Sequence, residues 1–88
     1  MLKGWKVYIV ACSDGTYYTG ITTDTQRRLL EHNYSLKSAK YTRSRRPVKL
    51  VYEEDSQNRS TASKREYQIK KMKRKDKKKL IDNYNNEL

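Results

Sequence analysis

Phenylalanine is absent from this chain of 88 residues, and apolar residues make up only 34% of it. Both facts exclude a large core: Tyr, Leu, Ile and Val must fill a modest one, with Trp5 as the largest piece, and the length allows a single domain over residues 1–88. Cysteine is reduced to Cys12, which excludes an internal disulfide framework and a cysteine-based zinc site, so nothing requires an oxidising compartment. At the end of an apolar run, Cys12 reads as a small buried hydrophobe. Long hydrophobic runs are also missing. The apolar run at residues 7–12 is broken by Ser-Asp-Gly, too short for a transmembrane helix and without the layout of a signal peptide. The expected address is the cytoplasm, with no membrane partner.

Acidic residues are scarce beside basic ones, 10 against 21, and the resulting net charge of +11 calls for a polyanionic partner. Charge alone does not choose between nucleic acid and an anionic membrane. A membrane-binding helix needs a broad apolar face, and the most basic stretch, "KREYQIKKMKRKDKKK", offers only Tyr67, Ile69 and Met72. Nucleic acid is therefore the expected partner; the plainer alternative is a solubilising or ribosome-associated charge. Despite 35% charged residues, the apolar patterns are too regular for a disordered chain.

"WKVYIVACSDGTYYTGIT" predicts two strands joined by a tight turn at Ser13-Asp14-Gly15, because Val, Ile and Tyr crowd both flanks. The first strand is apolar at nearly every position and belongs at the centre of a sheet; the second, more polar, suits an edge. Thr23 and Gln26 have capping-box spacing at the start of a helix that carries Leu29, Leu30 and Asn33 inward and stops near Tyr34-Ser35. "SLKSAKYTRSRR" reads as an exposed connection with at most one helical turn. Pro47 then opens a third strand, "VKLVYEED", at the position strands tolerate best. Ser60 is the expected cap of the next helix, and Asp76 that of a last one in which Leu80, Ile81, Tyr84 and Leu88 recur at helical spacing. The order strand, strand, helix, strand, helix, helix predicts an α+β domain: a small, largely antiparallel three-stranded sheet packed by helices.

Several side chains stand out against that frame. Arg28 and His32, the single histidine, are i and i+4 on one side of the first helix. Arg27 and Arg28 flank the inward stripe, and periodicity does not choose between them, although the face shared with His32 favours Arg28. The plainer alternative is that all are solvated. In the helix opened by Ser60, Glu66 shares a stripe with Ala62 and Ile69, and a charge on such a stripe demands a partner. The partner is either a structural cation, Arg65 or a loop arginine, or an active-site metal. Tyr8 shares its strand face with Val10 and Cys12, and Tyr18 lies across the hairpin, two residues before Gly20. A strand glycine marks a bulge or a close approach by a ligand or another backbone; ordinary core filling by tyrosine is the alternative.

"VYI" at 7–9, "YTG" at 18–20, Arg28 eight residues beyond Gly20, His32 and the late Glu66 resemble, in order and context, the motif set of the GIY-YIG nuclease superfamily. The resemblance spans residues 5 to about 75 and is greatest to the short, single-domain bacterial branch. Lys6, Val7 and Thr19 depart from the motif tripeptides, and Ile21 occupies a position that is lysine in the excision-repair branch. The resemblance implies hydrolysis of a phosphodiester bond, with Tyr18 as general base toward water, Tyr8 building the pocket, and Gly20 allowing close approach to the substrate backbone. It further implies that Arg28 holds the phosphate, His32 orients or shuttles a proton, and Glu66 is the one carboxylate ligand of Mg2+ or Mn2+. A phenol with a pKa of about 10 serves as a base near neutrality only if positive charge stabilises its phenolate. Basic residues of "TRSRR", namely Arg43, Arg45 and Arg46, and of the late run, Lys70 and Lys71 among them, are expected on the nucleic-acid backbone, giving salt-sensitive affinity with little sequence preference. The competing expectation is a non-catalytic, basic nucleic-acid-binding module on the same scaffold.

Overall fold

The computed structural model describes residues 4–87. The chain runs through β1 (Trp5–Ala11), β2 (Tyr17–Thr22), α1 (Thr25–Tyr34), the single turn α2 (Lys40–Arg43), β3 (Lys49–Ser56), α3 (Arg59–Lys71) and α4 (Arg74–Asn86). This is the α+β order expected from the sequence. The sheet is antiparallel throughout, in the order β2-β1-β3, so the most apolar strand is central and β2 is an edge. Turn chemistry explains the hairpin: Gly15 takes φ +84°, a value open to glycine, and the Asp14 carboxylate accepts hydrogen bonds from the amide and hydroxyl of Thr16.

Alternation along β1 divides the core in two. Val7 and Ile9 pack with Ala62, Ile69 and Ile81 of α3 and α4, while Tyr8, Val10 and Cys12 point to the opposite face with Val48, Tyr18 and Leu29. Cys12 is buried, and that burial raises its thiol pKa, as suits a small apolar filler.

The helix starts differ from the expected ones. Asp24 caps α1 in place of Thr23, its carboxylate accepting from the Arg27 amide, and a charged acceptor at this position also complements the helix dipole. Asn58 caps α3 in place of Ser60, because Thr61 stands three residues on and closes a reciprocal capping box with it. Asp76 lies inside the first turn of α4, and Lys73 occupies the cap position. In that helix Ile81 is buried and Leu80 and Tyr84 half-buried; Leu88 lies outside the described residues.

The inward face of α1 also differs. Leu30 is 60% exposed, whereas His32 is fully buried, with Leu29 in the core beside it and Asn33 bonded through its amide to the backbone of Val48. The face is turned about one residue from the leucine pair because both polar side chains find partners on other segments, which removes the cost of burying them. The connection after α1 is less exposed than expected: Ser38 and Thr42 are buried beneath it.

Candidate active site

Tyr8 of β1 lies directly opposite Gly20 of β2. A Cβ built on Gly20 would stand 2.6 Å from Cζ and 2.9 Å from Cε2 of the Tyr8 ring, and closer still to its hydroxyl. The close approach that requires glycine here is therefore made by the Tyr8 phenol, which fills the space the sequence assigned to a substrate backbone. That packing aims the phenol at His32, whose Nε2 is 2.7 Å from the Tyr8 hydroxyl.

The other ring nitrogen of His32 settles who donates. Nδ1 is 2.8 Å from the hydroxyl of Thr42, and that hydroxyl donates to the Ala39 carbonyl at 3.1 Å. With its proton so used, Thr42 accepts from Nδ1–H, leaving Nε2 as an acceptor for the Tyr8 O–H. A directed chain results, from Tyr8 through His32 and Thr42 to the backbone of Ala39. Burial, assisted by the charges of Arg28 and Arg46, pushes the His32 pKa from 6.5 down to about 4, so the ring is neutral at physiological pH. Burial also pushes the Tyr8 phenol up to about 12 against the opposing pull of Arg28, in keeping with its role as donor.

Arg28, the arginine favoured by its shared face with His32, turns toward this cluster. Its side chain is 22% exposed against 56% for Arg27; it binds Glu31 and the Lys37 carbonyl, both at 2.9 Å, and its charge pulls against the rise in the Tyr8 phenol pKa. Tyr18 completes the wall, with its ring edge-on to His32 at 5.4 Å and stacked on Tyr41 at 5.9 Å, while Arg45 lies 3.9 Å over the Tyr41 ring. No hydrogen bond joins Tyr18 to His32 among the described residues, whereas one joins Tyr8 to it.

Glu66 reaches the cluster from α3, around the edge of the sheet. Its charge acts on the Tyr8 phenol, and its carboxylate is 3.7 Å from Lys70 Nζ, which in turn lies 5.8 Å from the Tyr18 ring centroid. Among the described residues neither Arg65 nor a loop arginine pairs with it; Arg65 binds Glu54 at 3.0 Å. The structure thus brings Tyr8, Tyr18, Arg28, His32 and Glu66 together. It treats the loop arginines differently. Arg46 binds the carbonyls of His32 and Ser35, Arg43 those of Leu36 and Ser38, and Arg45 pairs with Asp14 and the Tyr41 carbonyl. Arg46 thus ties the loop to α1, Arg43 braces the loop internally, and Arg45 joins α2 to the β1–β2 turn.

No group of three or more His, Cys, Asp and Glu residues suited to a metal occurs among the described residues. Glu66 offers a single, partly exposed carboxylate, a donor set that fits a hard cation sharing its sphere with water and phosphate and does not fit zinc. Thr42 and Tyr41 were not anticipated. Both lie in the stretch without periodicity, and nothing local marks them; only their partners on other segments give them significance.

The chain belongs to the GIY-YIG catalytic domain family, which matches residues 4–80 and is a superfamily of nucleases. Within it, the chain is similar to the UPF0213 protein VNG_2274C of Halobacterium salinarum, 54% identical over 85% of this chain and 96% of the relative. It is 66% identical to the UPF0213 protein DP2720 of Desulfotalea psychrophila over 77% of this chain, but spans only 62% of that relative. The solution NMR structure of the protein EF2693 from E. faecalis is similar with a TM-score of 0.64 and 41% identity, over 96% of this chain and 88% of that one. No helix among the described residues is long and apolar enough to cross a membrane.

Proposed function

We propose that the protein is a metal-dependent endonuclease acting on DNA or structured nucleic acid. The observation that carries the reading is the Tyr8 O–H···Nε2 bond to a neutral, buried His32, made beside Arg28 and within the field of Glu66. Arg28 holds the scissile phosphate through its guanidinium, which matches two phosphate oxygens at once. Water between the tyrosines loses a proton to the Tyr8 oxygen as Tyr8 passes its own proton to His32 Nε2. The water O–H and the original phenol O–H break, and a new phenol O–H and Nε2–H form. The proton thus ends on the ring, the hydroxide oxygen bonds to phosphorus as the P–O bond to the leaving oxygen breaks, that oxygen takes a proton from solvent, and the ring later returns its own to solvent. Anionic phosphate nearby favours the imidazolium so formed, and the Nδ1–H bond to Thr42 holds the ring in place meanwhile. Tyr18, given the base role by family resemblance, here orients the water, since the hydrogen bond to His32 belongs to Tyr8. Glu66 would hold Mg2+ or Mn2+, which would supply neutralisation of the charge on the phosphate and leaving oxygen. Lys70 and Lys71 add affinity for the backbone, and that affinity falls with rising salt.

The test is cleavage of labelled single-stranded, duplex, flap and branched DNAs with magnesium, manganese or EDTA, using wild type, Glu66→Gln and Arg28→Ala. Metal-dependent cutting by wild type, lost in both folded variants, is expected. If wild type binds in a salt-sensitive way and never cuts, the protein is a binding module; if the variants cut normally, the residue assignment is wrong.

A further inference from the structure

The edge of the sheet at β2 is flanked by cations from three helices. α1 carries Arg27 and Arg28; α3 carries Arg59 near Trp5 at its start and Lys70 beside Tyr18 at its end, and Arg74 of α4 lies 4.4 Å from the Tyr17 ring centroid. Between α1 and the start of α3 the surface sinks into a cavity of about 320 Å³, lined by Trp5, Ile21, Arg27, Arg28, Glu31 and Arg59 among others. That volume falls at the lower end of small-molecule sites, roughly 300–1,000 Å³.

Its chemistry is specific. Three guanidiniums face one carboxylate. Arg28 and Arg27 share Glu31, at 2.9 Å and 3.9 Å, and Arg59 has no carboxylate partner among the described residues. The Arg59 guanidinium carbon stands 5.8 Å from the centroid of the Trp5 indole, so a cationic group and a flat apolar wall share one end of the recess. Guanidinium forks match phosphate oxygens, and an indole face accepts a nucleobase whatever its sequence. Arg28 belongs to both the recess and the Tyr8–His32 cluster, so a ligand in the recess adjoins the reacting centre.

We propose that this recess is a nucleotide subsite, holding the nucleotide next to the scissile phosphate with Arg59 and Arg27 on its phosphate and Trp5 against its base. Its place beside a scissile phosphate rests on the nuclease reading; binding in the recess does not. Trp5 is the only tryptophan, so its fluorescence reports the recess in the intact protein. The experiment is titration with 5′-phosphorylated thymidine dinucleotide in EDTA, where metal-dependent cleavage is suppressed, beside inorganic phosphate at the same concentrations. Expected is saturable quenching by the dinucleotide, weakened roughly tenfold in Arg59→Gln by loss of a charged hydrogen bond. It should be unchanged in Lys49→Gln, which removes an exposed charge from the opposite end of the sheet, where Lys49 pairs with Ala11. Arg59 is exposed in the first turn of α3, so its replacement leaves the fold intact, as a thermal melt would verify. Equal weakening in both variants would mean diffuse attraction and overturn the subsite. Equal quenching by inorganic phosphate would make it a plain anion site, and absence of quenching would overturn it outright. Metal-dependent cleavage without a Trp5 response sinks the subsite alone, while a Trp5 response without cleavage sinks the nuclease reading alone.

Discussion

Replacing Thr42 by valine tests the hydrogen-bond chain that supports the site. Valine keeps the shape of threonine and deletes the hydroxyl that lies between His32 Nδ1 and the Ala39 carbonyl. Thr42 and His32 are both fully buried, so no water takes its place without rearrangement. The Nδ1–H is left without an acceptor, at a cost of about 1–3 kcal/mol for an unsatisfied buried donor. Taking about 2 kcal/mol, the melting temperature of a domain of this size falls by roughly 8–16 °C. His32 can reduce this loss by moving its proton to Nε2, which leaves Nδ1 as a bare acceptor and turns the Tyr8 phenol from donor to acceptor. Because His32 is the only histidine, 15N chemical shifts of the ring identify the tautomer without assignment work. Wild type should show a protonated Nδ1 and an unprotonated Nε2. Thr42→Ser should keep that pattern and lose only methyl packing, whereas Thr42→Val should lose stability and shift proton density toward Nε2. An unprotonated Nδ1 in wild type, or a valine variant as stable as wild type, refutes the directed chain.

The pH dependence of stability follows from the same ring. With its folded pKa lowered from 6.5 to about 4, His32 binds a proton in the unfolded chain before it does so in the folded one. Its contribution is therefore complete above pH 6.5 and declines as pH falls toward 4, by up to about 1.4 kcal/mol per pH unit. Urea midpoints at about pH 7.5 and about pH 5 should diverge more in wild type than in His32→Gln, and parallel behaviour would contradict the buried neutral ring. Gly20→Ala should destabilise the fold by about 1–3 kcal/mol through overlap with the Tyr8 ring, seen in thermal unfolding, and an unaltered melt would show that the phenol is free to move. Tyr8→Phe should abolish cleavage while Tyr18→Phe slows it, measured as single-turnover rates on the best DNA substrate; the reverse ranking would return the base role to Tyr18.

Much of the architecture was legible because it rests on local patterns. Consecutive apolar residues through β1 need cover on both faces, and the glycine at position 15 supplies the left-handed turn residue the hairpin needs, so strand order and edge followed directly. Caps were less legible, since Asn58 and Ser60 are both good caps and the choice turned on Thr61 closing the box. The α1 face was misjudged because Leu29 and Leu30 are adjacent, and a pair of leucines does not say which of them points inward.

By itself, then, the sequence determined the order of elements and the central strand, because apolar periodicity and turn chemistry act over a few residues. Tertiary structure alone decided which polar groups are buried and what each one does. His32 is neutral and oriented because Tyr8, 24 positions away, and Thr42, 10 positions away, meet its two nitrogens. Gly20 is required by a ring on the neighbouring strand, and Arg46 is held by carbonyls of α1 and the loop that follows it. A buried polar side chain is stable only with its partners in place, and when those partners lie on other segments no local pattern records them.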